Sequence, residues 1–176
     1  MISQRIKELK NLFNKENIDG YVIPKNDEFF SEFSKIDRLK IISNFSGSAG
    51  YAVLLKNKNY LFVDGRYTVQ AQIESGKNFI ITEYHKIIHC DLFNNLTLGI
   101  NPKLFTSNQI KKFFLKNNKI KLIKTDLIKK DPKKKLNYSK PFFSLDERIV
   151  GESYKKKLNK VTTFLKKNKS NFIFIT

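Results

Sequence analysis

Ile6, Leu9, Leu12 and Phe13 recur at spacings of three and four, which predicts an amphipathic helix over residues 2 to about 17 with Ser3 as its cap. Asp19-Gly20 breaks the period. Tyr21-Val22-Ile23, closed by Pro24, then reads as a short buried strand. Residues 25–50 are rich in turn formers, with a helical piece around Arg38 to Ile42. Tyr51 to Leu55 and Tyr60 to Val63, separated by Lys56-Asn57-Lys58-Asn59, form the two arms of a hairpin. Asp64 is placed to cap a helix that runs to about Ser75 and stops at Gly76. Further strands are expected at Phe79 to Tyr84, Leu96 to Ile100 and Ile120 to Ile123, with a helix from Ser107 through Lys116. Strands interleaved with helices predict an α/β domain with a mixed sheet over residues 1–128.

Residues 129–140, rich in lysine and interrupted by Pro132, have almost nothing to bury and read as an exposed linker. Beyond it, Leu158, Val161, Phe164 and Leu165 repeat the spacing of Ile6, Leu9, Leu12 and Phe13. The apolar run Phe172 to Ile175 then follows, as Tyr21 to Ile23 follows the first helix. Residues 141–176 are therefore expected to be the helix–strand start of a second, similar domain. About 40 residues or fewer rarely bury enough surface to fold alone, so that domain reads as begun and not finished.

The composition narrows the class. No apolar run approaches the roughly 18 residues of a membrane-spanning helix, and the amino terminus lacks the apolar core of a signal peptide. Cys90, the sole cysteine, has no internal disulfide partner. A reducing, cytoplasmic setting is the expectation. The net charge of +18 would ordinarily suggest nucleic acid. Arginine, the residue suited to bidentate phosphate and base contacts, occurs only at positions 5, 38, 66 and 148. Abundant Asn, Ile and Phe beside the lysine point instead to A/T-rich coding. A nucleic-acid partner is thus not the expectation, and neither is a membrane.

Candidate chemistry is sparse. Asn44 to Gly50, with its small residues, reads as a tight turn feeding the hairpin. A phosphate cradle would need a following Gly-Lys-Ser/Thr and a helix, and neither is present. Arg66 near a helix start is disfavoured by the dipole, so a carboxylate partner is expected among Asp27, Glu32 and Asp37. His85 and His89, with Cys90 and Asp91, have His-x-x-x-His spacing, but Lys86 stands where a zinc-hydrolase helix carries glutamate. They read as incidental. Ser46 and Ser48 lack the Gly-x-Ser-x-Gly elbow of a nucleophile.

Asp27 to Phe33, Arg38, Ser43 to Gly50 and Val63 to Ala71 together resemble the amino-terminal domain of aminopeptidase P, of the creatinase/prolidase family. The carrying residues are Phe45, Gly47, Ser48, Gly50, Asp64, Arg66, Tyr67 and Gln70, for which a structural role is expected. Gly99 to Pro102 resembles a later family motif, and Leu145 to Ser153 with the following helix resembles the start of the family's middle domain. Phe29 stands where the family usually has histidine, and Asn101 where it has aspartate.

The resemblance implies a creatinase amino-terminal, ribonuclease H-like fold. Family enzymes cleave the bond before proline with two divalent metals, usually manganese. Two aspartates, one histidine and two glutamates of the carboxy-terminal domain hold those metals, and none of the five has a counterpart here. The expectation is a truncated or split aminopeptidase: no catalytic, metal or cofactor residues, no peptidase activity of its own, and a scaffolding or oligomerisation role. Its partner would be itself or a separately encoded catalytic portion. The alternative is a non-catalytic protein- or peptide-binding module.

Overall fold

The computed structural model describes residues 1–31, 36–87, 93–114, 117–128 and 143–174. The chain divides into two compact units, Met1–Lys134 and Lys135–Thr176.

The first unit is built on a six-stranded sheet. Its strands are β1 (Gly20–Pro24), β2 (Gly50–Leu55), β3 (Asn59–Val63), β4 (Ile80–Glu83), β5 (Thr97–Ile100) and β6 (Lys119–Leu122), in the order β4-β3-β2-β1-β5-β6. β2 pairs antiparallel with β1 and β3, whereas β3–β4, β1–β5 and β5–β6 are parallel. Along the central strands, alternate residues enter opposite cores. Tyr21, Ile23, Ala52, Leu54, Leu61 and Val63 face one side; Val22, Tyr51, Val53, Tyr60 and Phe62 face the other. Both faces are covered, so these strands read as continuous apolar runs.

Helices α1 (Ile2–Lys10), α2 (Arg38–Ser43) and α3 (Thr68–Ser75) supply the first face with Ile6, Leu9, Leu39, Ile42 and Ala71. On the other face, Ile110 and Phe113 of α4 (Ser107–Phe113) pack with Phe93, Phe105 and Phe114. The fold class expected from sequence, a mixed sheet flanked by helices, is the one observed.

Several local expectations differ. Ser3 lies inside α1, whose cap is Met1 without a side-chain bond, and the regular helix ends at Lys10. Turns carry the chain from there, and Phe13 still reaches the core. The cap of α4 is Thr106, one residue before Ser107; it forms a reciprocal capping box with Gln109. Pro24 lies inside β1, opposite Tyr51.

In the second unit, Asp146 caps the short helix α5 (Glu147–Val150), and Ser153 caps α6 (Tyr154–Lys167). Residues 172–174 are not in a strand, contrary to expectation. A strand exists only through ladder bonds to a neighbour, and no described residue pairs with them. No described residue of α5 or α6 is buried. The linker expected at 129–140 lies outside the described residues.

Candidate functional site

The two motif stretches fold against each other. Ser43 ends α2, and Asn44 closes it in the left-handed conformation (φ 63°). The chain then turns through Phe45 to Ala49 into β2. Phe45 is fully buried and meets the Tyr67 ring edge-on at 5.9 Å. Gly47 lies against the Phe45 ring, where an added Cβ would fall 2.2 Å from Cζ. Gly50 approaches β3 so closely that a Cβ would sit 2.8 Å from the Phe62 carbonyl oxygen. The glycines are thus required by contact, and the stretch is the tight turn expected of it.

Polar contacts complete the junction. Ser48 Oγ and the Tyr67 hydroxyl share a hydrogen bond at 3.1 Å. Glu74 accepts from the Ser46 amide and hydroxyl, both at 2.6 Å, and from Gln70 Nε2 at 3.0 Å. Gln70 Nε2 also donates to Ser46 Oγ at 2.9 Å. Partial burial pushes the Glu74 carboxyl up, but the bonds from Ser46 and Gln70 outweigh it and hold its pKa below the ordinary value. Glu74 carries no family motif in the sequence reading. Its position four residues after Gln70, on the same helical face, is the signal that would have found it.

Asp64 accepts the Arg66 amide at 3.0 Å and so caps the 3-10 turn Gly65–Tyr67 that leads into α3. The guanidinium partner of Arg66 is this same Asp64, through Nε at 2.9 Å and Nη2 at 3.3 Å, rather than a residue of the preceding loop. The tight turn brings the side chains at positions i and i+2 together, which helix spacing does not anticipate. The Arg66 side chain, then its amide, hold the Asp64 carboxyl below the usual range.

Of the partners expected from sequence, Asp27 instead binds the amides of Phe29 and Ser31 at 3.0 Å. Asp37 caps α2 and pairs with Lys25. Glu32 lies outside the described residues.

Beside this junction lies a cleft of about 290 Å³, lined by Lys25, Phe30, Ser48, Tyr51, Asp64 and Tyr84 among others. Lys25, Tyr51 and Tyr84 were not singled out in the sequence, because only the sheet topology brings them together.

His85 is an exposed residue of the 3-10 turn Tyr84–Ile87, with Nδ1 3.3 Å from Glu83 Oε2. His89, Cys90 and Asp91 lie outside the described residues. Among the described residues, no group of three or more His, Cys, Asp or Glu is placed to hold a metal ion. Nor, among them, is any helix long and apolar enough to cross a membrane.

The profile of the Creatinase/Prolidase N-terminal domain matches residues 5–129. The chain is 31% identical over 193 aligned residues to a protein named "Probable Xaa-Pro aminopeptidase P" from Coprinopsis cinerea, covering 99% of this chain and 30% of that one. It is 28% identical to Xaa-Pro aminopeptidase 1 of Dictyostelium discoideum, with 99% and 32% covered. The chain therefore spans about a third of the length of these relatives.

Among solved structures, the X-prolyl aminopeptidase of Caenorhabditis elegans is described as a cytosolic enzyme with a di-nuclear active site. It shares the fold at a TM-score of 0.66 and 22% identity, over 96% of this chain and 32% of its own. The N-terminal domain of the cytoplasmic peptidase PepQ from Mycobacterium tuberculosis matches at 0.52 and 20% identity, covering 68% of this chain and 92% of that one.

Proposed function

The chain belongs to the creatinase/prolidase N-terminal domain family, and from that membership we propose that it is the non-catalytic scaffold portion of an Xaa-Pro aminopeptidase. Its partner on this reading is a second copy of itself or a catalytic portion that carries the metal ligands. The observation that carries the proposal is one of extent: a 31% identical alignment takes in 99% of this chain and only 30% of the relative.

The nucleophile of a di-metal aminopeptidase is a metal-activated water. The residues that would hold the metals belong, on this reading, to the part of the relatives that the alignment does not reach. Phe45, Gly47, Ser48, Gly50, Asp64, Arg66, Tyr67 and Gln70 then act structurally, fastening the turn before β2 to α3.

Residues 1–128 form the creatinase-type domain, 129–140 a linker and 141–176 the start of a second, similar domain. That last assignment rests on the spacing of Leu158, Val161, Phe164 and Leu165, which repeats that of Ile6, Leu9, Leu12 and Phe13. The cytoplasm is the proposed location, in keeping with the description of the nematode enzyme.

The test is an activity assay with reconstitution. Purified chain supplied with manganese and a peptide carrying proline in second position should cleave nothing. The same chain mixed with a metal-binding portion of an aminopeptidase P should form a complex that sediments as one species. Cleavage by the chain alone overturns the proposal.

A further inference from the structure

Five of the six strands run in one direction and β2 opposes them, so the carboxyl ends of β1, β3 and β4 and the amino end of β2 meet at one edge of the sheet. In open α/β sheets, crevices outside the carboxyl ends of strands are where ligands settle. The cleft described above sits at this edge. Lys25 and Phe30 come from the segment after β1, Ser48 and Tyr51 from the entry to β2, Asp64 from the end of β3 and Tyr84 from the end of β4. Its volume of about 290 Å³ is at the small end for ligand sites and suits one or two residues of a peptide.

Three features of the lining define what it would take. Lys25 is only 8% exposed, and its ammonium pairs with Asp37. An ammonium carries three protons, and Asp37 Oδ2 receives one of them.

Phe30 adopts φ 59°, a region that bulky residues rarely enter and that marks functional positions when the surroundings enforce it. Asp27 enforces it: its carbonyl accepts the Phe30 amide at 3.1 Å, while its carboxylate binds the amides on either side. Phe30, held there, is still 47% exposed.

The Tyr51 and Tyr84 rings lie tilted by 32° with centroids 5.5 Å apart and complete an aromatic wall. The charge of Asp64 is already matched by Arg66, so it does not repel an incoming anion as a free carboxylate would.

We propose that this cleft binds a carboxylate carried beside an aromatic or apolar group, with the carboxylate directed to Lys25 and the ring to Phe30, Tyr51 and Tyr84. That chemistry belongs to the terminal residue of a peptide ending in phenylalanine, or to a glutamate next to an aromatic side chain. The net charge of +18 favours the approach of either. The proposal does not depend on the scaffold role, and no metal or catalytic portion enters its test.

The experiment is an amide NMR titration of the full chain with three peptides: Gly-Gly-Phe with a free carboxyl terminus, the same peptide amidated, and acetyl-Glu-Phe-amide. The free-carboxylate peptide should shift the Lys25, Gly50, Tyr51 and Tyr84 amides saturably, and amidation should weaken it about tenfold. Equal or tighter binding of acetyl-Glu-Phe-amide would support the side-chain source of the carboxylate.

Lys25→Gln should erase the preference for the carboxylate. Since that change also unpairs Asp37, Phe30→Ala serves as the second variant: it should weaken binding about fivefold without lowering the melting temperature. Equal binding of all three peptides, or no shift at the cleft amides at millimolar peptide, overturns the proposal.

Discussion

Arg38 donates through Nε to Asp126 Oδ2 at 2.8 Å, joining α2 to the segment after β6 across 88 residues of sequence. The Arg38 side chain is 9% exposed and that of Asp126 26%. Arg38 Nη1 is buried and, among the described residues, has no hydrogen-bond partner. The two ends of the pair are therefore unequal: the carboxylate can be rehydrated and the guanidinium cannot.

Asp126→Asn should accordingly destabilise the first unit more than Arg38→Met, because it strands a buried charge. A loss of about 3 kcal/mol for the former and about 1 kcal/mol for the latter is expected. Urea denaturation of the two variants checks the order; equal losses would show that Asp126 matters only as a point of packing.

Gly47→Ala should cost about 1–3 kcal/mol, since the new methyl collides with the buried Phe45 ring. Gly65→Ala is the matched control: nothing lies within 4 Å of its added Cβ, so its melting temperature should stay near that of the parent. Thermal melts of both variants decide whether the turn is fixed by that contact.

The Glu74 carboxyl titrates below its ordinary value in the folded chain. A depressed folded pKa means that its contribution is fully present above the ordinary carboxylate range and is lost as pH falls through the folded value. The melting temperature should therefore drop between about pH 5 and pH 3 more steeply for the parent than for Glu74→Gln, which starts lower and carries no such term. Parallel slopes would show that the Ser46 and Gln70 bonds do not hold the charged form.

Removing residues 139–176 should leave a folded, cooperatively unfolding first unit, because the sheet and both its faces are complete within Met1–Lys134. Circular dichroism and a urea titration of the shortened chain test this. A broad, non-cooperative transition would mean that the last helix belongs to the first unit's core.

The strands of this fold were legible because each is a short apolar run bounded by turn formers, and the hairpin because its two arms are adjacent in sequence. The Asn44–Gly50 turn and the Asp64 cap were legible for the same local reason. What escaped was either finer than the pattern or longer in range than it. Thr106 rather than Ser107 caps α4, a choice between two neighbouring hydroxyls that backbone geometry decides. The Arg66 partner was missed because a 3-10 turn folds the side chain back onto Asp64. Asp126, Lys25 and Tyr84 carry no local signal, since their neighbours arrive from distant strands. Phe172 to Phe174 have the composition of a strand without a described strand beside them.

The antiparallel β2 has a kinetic consequence. β2 and β3 meet across a three-residue connection, so their pairing is a microsecond event needing little chain closure. The parallel half must wait. The Asp19 carboxylate accepts the Thr97 amide across 78 residues, and β5, with β6 paired to its far side, joins β1 only once that long loop has closed. Refolding should thus proceed from the hairpin outward, with burial of Leu98 and Ile100 as its slow final step.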